Sequence, residues 1–435
     1  MKEMMKDSGI AWIGKIPEHW EITKVKFLSS YIGSGTTPDS GIAEYYDGTN
    51  PWIQSGDLYK TSIISKTEKL VTDLAIKTFS ALKIYKAPFV VIAMYGASVG
   101  NVSVSHINAC VNQACCVIIT HHKLNLMYLY YWLTVCKEDF DINAIGGGQP
   151  NISQQVIKNQ YLLKVPLLEQ RTIASFLDSA CAKIDGIIAD LEHQVDLLKE
   201  YKKSLITETV TKGLDKHVKL KDSGIAWIGE IPEHWEVKRL KYLGSTRNGL
   251  TYTPSDITSP DTGILVLRSS NIQNNELEFS DTVYVAMNIP TELRLQLNDI
   301  LICSRNGSKN LIGKCALINK IAINATYGAF MCVFRSKHNK FIYYVFLSGL
   351  FDYYLASFST STVNQLTNQN LYNMVIPFTH DKTEQQAIAS FLDTRCAEID
   401  TIIKSKEKQI KQQKEYKKSL IYEYVTGKKR VKKVY

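Results

Sequence analysis

Lys6–Glu21 reads KDSGIAWIGKIPEHWE, and 215 residues later Lys221–Glu236 reads KDSGIAWIGEIPEHWE, with fifteen of sixteen residues unchanged. The same offset relates Glu169–Ile188 (EQRTIASFLDSACAKIDGII) to Glu384–Ile403 (EQQAIASFLDTRCAEIDTII), and Lys199–Ile206 to Lys414–Ile421, both KEYKKSLI. One unit is therefore written twice. The 435 residues divide into two similar halves, each long enough to bury its own core.

Each half closes on a long helix. From about Glu169 to Thr211, Leu177, Ile184, Leu191, Leu198 and Leu205 recur every seven residues, and Cys181, Ile188 and Val195 fill the second position of a heptad seam. At ~1.5 Å per residue this helix spans roughly 60 Å, too much for one compact domain to cover, so it needs a partner helix. Leu392, Cys396, Ile399, Ile403, Ile410 and Leu420 supply the matching seam. Lys406, Gln413 and Lys417 interrupt it, which predicts weaker pairing towards Leu420. Tandem copies related by an approximate two-fold axis would pair their helices antiparallel, with the regions between the repeats towards opposite ends.

Those regions, about 130 residues in each half, share element order and little else. In the first, PWIQSGDL, Ala87–Met94 (APFVVIAM) and Ala114–Thr120 (ACCVIIT) read as strands, and YGASVGN as a glycine-dependent turn. Met127–Val135 (MYLYYWLTV) reads as a short core helix, and IGGGQPN as a loop. In the second, GILVLRSSNI, DILIC and AFMCVFR are the strands, followed by the aromatic segment 341–355 and the polar loop Thr360–Gln369. The fold class is α+β: two mixed α/β regions, 1–166 and 213–380, each followed by a long helix, 167–212 and 381–426, and then a basic tail, 427–435.

The composition, 45% hydrophobic and 21% charged, is that of a globular chain. No apolar run reaches membrane-spanning length, and MKEMMKDSG has no apolar core of a leader, so no membrane attachment and a cytoplasmic location are expected. Nine cysteines without a C-x-x-C pair point to reduced, buried thiols. The net charge of +9 sits wholly within residues 404–435, twelve Lys or Arg against Glu407, Glu415 and Glu423. The two mixed regions are therefore electrically balanced, and any contact they make with nucleic acid must be local.

Catalytic motifs are missing. No two of the eleven prolines are adjacent, so there is no Asn/Asp-Pro-Pro-aromatic motif of an amino-methyltransferase, and Gly146–Gly148 leads into Gln-Pro rather than a helix. Gly313-Lys314 fails as a phosphate loop because Ser308 and Cys315 replace the required glycine and hydroxyl residue. His106, Cys110, Cys115, Cys116, His121 and His122 have irregular spacing on a strand whose neighbouring side chains alternate faces, a poor metal site. His19 and His234 are duplicated without a duplicated nucleophile, which favours a structural role.

The D-S-G-x-x-W-I-G-x-I-P-x-H-W opening and the E-Q-x-x-I-A-x-F-L-D helix start, each present twice at one offset, resemble the specificity subunit of type I DNA restriction-modification systems. The resemblance covers essentially the whole chain. It implies two target-recognition domains that read a split double-stranded DNA site, one half each, with no activity of their own. It implies long helices that space the domains and dock two methyltransferase subunits acting on adenine N6, and an ATP-dependent motor-nuclease subunit as a further partner. S-adenosylmethionine, and ATP with Mg, belong to those partners, and this chain needs no cofactor.

Base reading is expected on loops that interrupt strands, where Asn, Gln, Arg or Ser can bond base edges. In the first domain these are Tyr95, Ser98, Asn101, Gln149 and Asn151. In the second they are Arg268, Arg305, Asn306, Ser308, Lys309, Asn310, Asn364 and Gln365, with the run Arg305–Asn310 foremost. Each of these residue types also serves as an ordinary turn residue bonding its own backbone. Two competing readings are a coiled-coil adaptor for protein ligands and a DNA-modifying enzyme with unrecognised motifs.

Overall fold

The computed structural model of the protein describes residues 4–144, 150–358 and 365–431. Two compact units divide the chain, and each takes part of both long helices. The first joins residues up to Leu191 with those from Lys408 onward, and the second is the continuous stretch Glu192–Glu407. The central helix runs Leu167–Lys212 and the distal helix Lys382–Val425.

In the first unit the variable region is an insert between two strands that pair with each other. Glu21–Lys24 runs antiparallel to Tyr161–Lys164, so the insert leaves and returns at one place on the frame. Within it, strands Ser29–Ser34, Cys115–Thr120, Phe89–Ala93, Val102–Ser105 and Ile63–Ile64 form a five-stranded sheet in that spatial order. The apolar runs of Phe89–Ala93 and Cys115–Thr120 follow from burial on both faces. Val90, Ile92, Cys116 and Ile118 join the core that reaches the central helix, while Phe89, Val91, Cys115 and Val117 join a separate cluster behind the sheet. Cys115 and Cys116 thus face opposite ways, and burial pushes the Cys116 thiol up to about 12. The aromatic helix forms at Leu126–Val135, capped by the Asn125 side chain, with Tyr128, Leu129 and Trp132 fully buried against the sheet.

The second unit repeats the stem. Glu236–Arg239 runs antiparallel to Val375–Phe378. The insert carries two four-stranded sheets, one ordered Ser245–Asn248, Met331–Arg335, Ile300–Cys303, Cys315–Leu317, the other built on Ile264–Leu267 and Val283–Val285. Helices Asn339–Leu347 and Gly349–Phe358 bury Phe341, Phe346 and Phe351 beneath the first sheet.

One expected strand is shorter than its sequence suggests. The strand through Pro51 and Trp52 ends at Ile53, because Asp57 accepts the Gln54 N–H at 2.8 Å and turns SGDL into the start of the short helix Asp57–Lys60. The expected bend at YGASVGN forms as read: Phe89–Ala93 and Val102–Ser105 pair antiparallel, with Gly96 and Gly100 at φ of 73° and 75°.

Residues of the duplicated helix starts hold the segments before them. Asp178 accepts the Tyr131 hydroxyl at 2.8 Å, and Asp393 accepts that of Tyr344. Gln170 holds the Asn125 N–H and the Val165 carbonyl, and Gln385 holds the Thr379 carbonyl. His19 and Trp20 share Glu169, as His234 and Trp235 share Glu384, so both histidines have structural partners.

Within each unit the two helix segments run antiparallel. In the first, Phe176 meets Tyr424 and Asp185 meets Lys417. In the second, Lys202 meets Asp400 and Gln194 meets Lys406. Leu177, Ile184, Ile188, Leu191 and Val195 are buried, as are Leu392, Ile399 and Ile403, and Leu198, Leu205 and Ile410 are half-buried. Between Ile403 and Leu420 the interrupted seam has no buried residue on the distal helix, in line with the weaker pairing expected there. Leu420 is buried in the core of the first unit, and the interrupting Lys417 reaches Asp185 at 2.7 Å, so the polar seam residue is partnered across the helices.

The end of the chain closes the first unit. Gly427, at φ 74°, ends the distal helix against Pro17 and Trp20, as Gly213, at φ 72°, ends the central helix against Pro232 and Trp235. Lys428 donates to the Ile13 carbonyl at 2.6 Å and Tyr422 to that of Trp12 at 2.8 Å. Lys429 pairs with Glu423. Part of the basic tail is therefore committed to the frame.

Candidate nucleic-acid interface

Strand Ile300–Cys303 is wholly buried and ends where the chain emerges at Ser304 and Arg305. Both backbone N–H groups go to the Phe330 carbonyl at 3.0 Å, and the Leu366 N–H returns to the Ser304 carbonyl at 2.8 Å. This pins Arg305 opposite Gln365 as an isolated antiparallel bridge. Arg305 Nη2 donates to Gln365 Oε1 at 2.7 Å, and the guanidinium carbon lies 5.8 Å from the centre of the exposed Phe330 ring.

The first domain repeats the device with other side chains. Ile152 N–H bonds the Met94 carbonyl at 2.9 Å and Gly96 N–H the Pro150 carbonyl at 2.9 Å, so Tyr95 bridges Asn151. Ser153 then caps one short helix and Thr367 the other, each accepting the N–H three residues on. Of the expected contact residues, the fold therefore brings Tyr95 to Asn151 and Arg305 to Gln365 at one and the same point of the architecture. Gln149 and Asn364 lie outside the described residues.

The other expected residues have varied surroundings. The Ser98 hydroxyl turns back on the Tyr95 carbonyl at 3.1 Å, and Asn101 Oδ1 accepts Lys137 Nζ at 2.7 Å. Asn306 accepts the Ser308 N–H at 2.9 Å and donates to Ser269 Oγ at 3.3 Å, which ties the Arg305 turn to the neighbouring loop. Lys309 and Asn310 are exposed on the single turn that follows. Arg268 pairs with Asp281 at 2.7 Å on the wall of a cavity of about 660 Å³, which Tyr252, Ser269 and Phe330 also line. Its Nε is buried without a hydrogen-bond partner.

Sequence reasoning missed Phe330 and Lys314. Lys314 donates to the Ser269 carbonyl at 3.4 Å and sits near Cys303, whose thiol burial pushes up while Lys314 draws it partly back. Phe330 follows Gly328 and Ala329 and precedes a buried strand, a polar-to-apolar boundary where an aromatic with 59% exposure has no core to fill. The loop pair of each unit is braced by buried strands, Tyr95 and Asn151 in the first and Arg305, Gln365 and Phe330 in the second, side chains of types suited to base edges. Among the described residues no group of three or more His, Cys, Asp or Glu is placed to hold a metal.

Each unit thus has a loop pair on a common scaffold with unlike side chains. The family described as the type I restriction modification DNA specificity domain matches residues 17–195 and again 232–412. The chain belongs to this family. Both matches span an insert, its stem strands and the start of the following helix. The specificity subunit of the MjaVIII type I restriction enzyme of Methanocaldococcus jannaschii is 25% identical over 427 residues, covering 96% of this chain and 95% of that protein. The EcoKI specificity subunit of Escherichia coli K12 is 29% identical over 210 residues, 46% of this chain and 44% of the relative. A chain from a structural study of complex assembly and conformational transition in the type I R-M system has the same fold, with a TM-score of 0.69 at 13% identity over 94% of this chain and 98% of that one. As a member of the specificity-domain family, the chain recognises DNA sequence and is not itself the catalyst.

Proposed function

We propose that this chain reads a two-part site on double-stranded DNA, one part through the Arg305–Gln365 loop pair and the other through Tyr95–Asn151, and that it carries methyltransferase subunits to that site. The observation that supports the reading is the repetition of one loop-bridging device with unlike side chains on a frame that is nearly identical. The partner subunits modify adenine N6 with S-adenosylmethionine, and a motor-nuclease subunit using ATP and Mg can join them. The complex works in the cytoplasm. Among the described residues no helix is long and apolar enough to cross a membrane.

The helices carry a second, outward apolar pattern that suits a partner bound twice. Ile187 and Ile402 are 46% and 45% exposed, and Tyr201 and Tyr416 are 57% and 55% exposed, each pair separated by the repeat offset. All four flank the seam one residue before Ile188, Ile403, Lys202 and Lys417. Methyltransferase subunits docking there would cover equivalent apolar positions in each unit, without reference to the DNA sequence read.

Co-expression with the methyltransferase subunit, followed by mapping of N6-methyladenine at single-base resolution, tests the proposal. A two-part motif with a fixed gap is expected, one half changing when residues 30–165 are exchanged and the other when residues 245–376 are. A stable complex that methylates no motif and binds no DNA would favour the adaptor reading instead.

A further inference from the structure

The Arg305–Gln365 pair has a hydrogen-bonding character that neither residue has alone. A guanidinium can only donate, so the atom of Gln365 that meets Arg305 Nη2 at 2.7 Å must be the amide oxygen. That contact occupies the oxygen with a charged donor and turns the amide NH₂ away from Arg305. The backbone bridge between the two residues and the Phe330 ring beneath the guanidinium hold the arrangement in place. The free N–H groups of the guanidinium and the amide NH₂ are donors, beside the second lone pair of the Gln365 oxygen.

In the major groove adenine shows N7 as acceptor beside an N6 donor, cytosine shows a donor, and thymine one acceptor beside a methyl group. Guanine alone shows two adjacent acceptors, N7 and O6. A free glutamine amide suits adenine, since it can donate and accept at once, whereas the Arg305 guanidinium can only donate and so suits the paired acceptors of guanine. At the equivalent place in the first domain Tyr95 has no donor fork, so this position makes no such demand on the other half-site.

We infer that Arg305, held by Gln365 and Phe330, requires a guanine at one position of the half-site read by the second domain. The inference rests on the proposed DNA-reading role of these loops.

The test uses the complete chain assembled with its methyltransferase subunits. Wild-type complex is titrated with duplexes carrying the mapped site, in which each guanine of the second half-site, on either strand, is replaced in turn by 7-deazaguanine, which lacks the N7 acceptor. One position is expected to lose roughly tenfold or more in affinity, the range of one good base contact. In the Arg305→Ala complex that sensitivity should vanish, and the methylation motif should relax at that guanine while the first half-site stays as it was. The unchanged first half-site reports that the variant has folded and assembled. Full affinity at every 7-deazaguanine position, or an Arg305→Ala motif as strict as the wild type, would overturn the inference and leave the two-domain reading intact. Failure of the second half-site to follow the exchange of residues 245–376 would remove both.

Discussion

Trp20 donates its indole N–H to Glu169 at 3.1 Å, and at the repeat offset Trp235 donates to Glu384 at 3.0 Å. Each bond ties the opening segment of a unit to the first turn of the helix that follows the insert. The indoles are 2% and 0% exposed, so each N–H depends on that carboxylate. Removing the acceptor would leave a buried donor unsatisfied. Glu384→Ala is expected to cost about 2–3 kcal/mol of stability and Glu169→Ala less, because the Glu169 side chain is 38% exposed against 24% for Glu384. Chemical unfolding of each variant followed by tryptophan fluorescence measures both.

The pairing also shows why the frame was legible in the sequence and the reading loops only partly so. Residues written twice at one offset prove to bond one another, as Trp20 does Glu169 and Trp235 does Glu384, so the repeat marked real contacts. The seam was legible wherever it is apolar. Towards Leu420 the break at Lys417 was legible too, but the Asp185 that meets it across the helices was not. In the loops the residue types were recognisable, but Arg305 and Gln365 lie 60 positions apart, and only the fold brings them together. Phe330 carries no pattern of its own and becomes visible only as the face under Arg305.

The two cross-helix ion pairs are related by the repeat but differ in setting. Lys202 is 18% exposed against Asp400, whereas Lys417 is 27% exposed against an Asp185 that is 54% exposed. Asp400→Ala strands a mostly buried ammonium and should cost ~1–2 kcal/mol. Lys417→Leu completes an apolar seam and leaves Asp185 in water, so it should be neutral or stabilising by up to ~1 kcal/mol. Unfolding midpoints of the two variants should move in opposite directions, or the second not at all.

Burial holds the cysteine thiols above their ordinary value of 9.0, to about 11 for Cys110 and Cys396 and about 12 for Cys116, Cys315 and Cys332. Above pH 9 the unfolded chain releases these protons while the folded chain keeps them. The contribution to stability is therefore complete below pH 9 and is lost as pH rises from 9 through 11–12. Stability measured at pH 8, 9 and 10 should fall over the last step, and a Cys332→Ser variant should show a shallower fall. Thiol reagents at pH 8 should label none of the nine cysteines in the folded protein, since all are buried.

Gly427 and Gly213 end equivalent helices with left-handed backbones, yet their surroundings differ. A Cβ on Gly427 would lie 2.4 Å from Pro17 Cδ and 2.9 Å from the Trp20 ring, whereas one on Gly213 would meet nothing nearer than 3.4 Å. Gly213→Ala should cost ~1–2 kcal/mol from backbone strain alone, and Gly427→Ala appreciably more. Limited proteolysis should then release the chain end in the Gly427 variant, because the same turn presents Lys428 to the Ile13 carbonyl.

On the proposed reading, the exposed flank of the helices serves partner docking apart from DNA reading. Ile187 and Ile402 are nearly half exposed and contribute little to their own unit, so Ile187→Glu and Ile402→Glu should change stability by less than ~0.5 kcal/mol. If methyltransferase subunits cover these positions, each substitution buries an unpaired carboxylate in that contact, and affinity for the subunit should fall at least tenfold. Because the positions are equivalent, either single variant should lose one subunit and the double variant both, read as a stepwise drop in mass by light scattering. Methylation by the residual complexes should keep the same motif, since neither side chain belongs to a reading loop. A changed motif would instead place these helix positions within the reading of DNA.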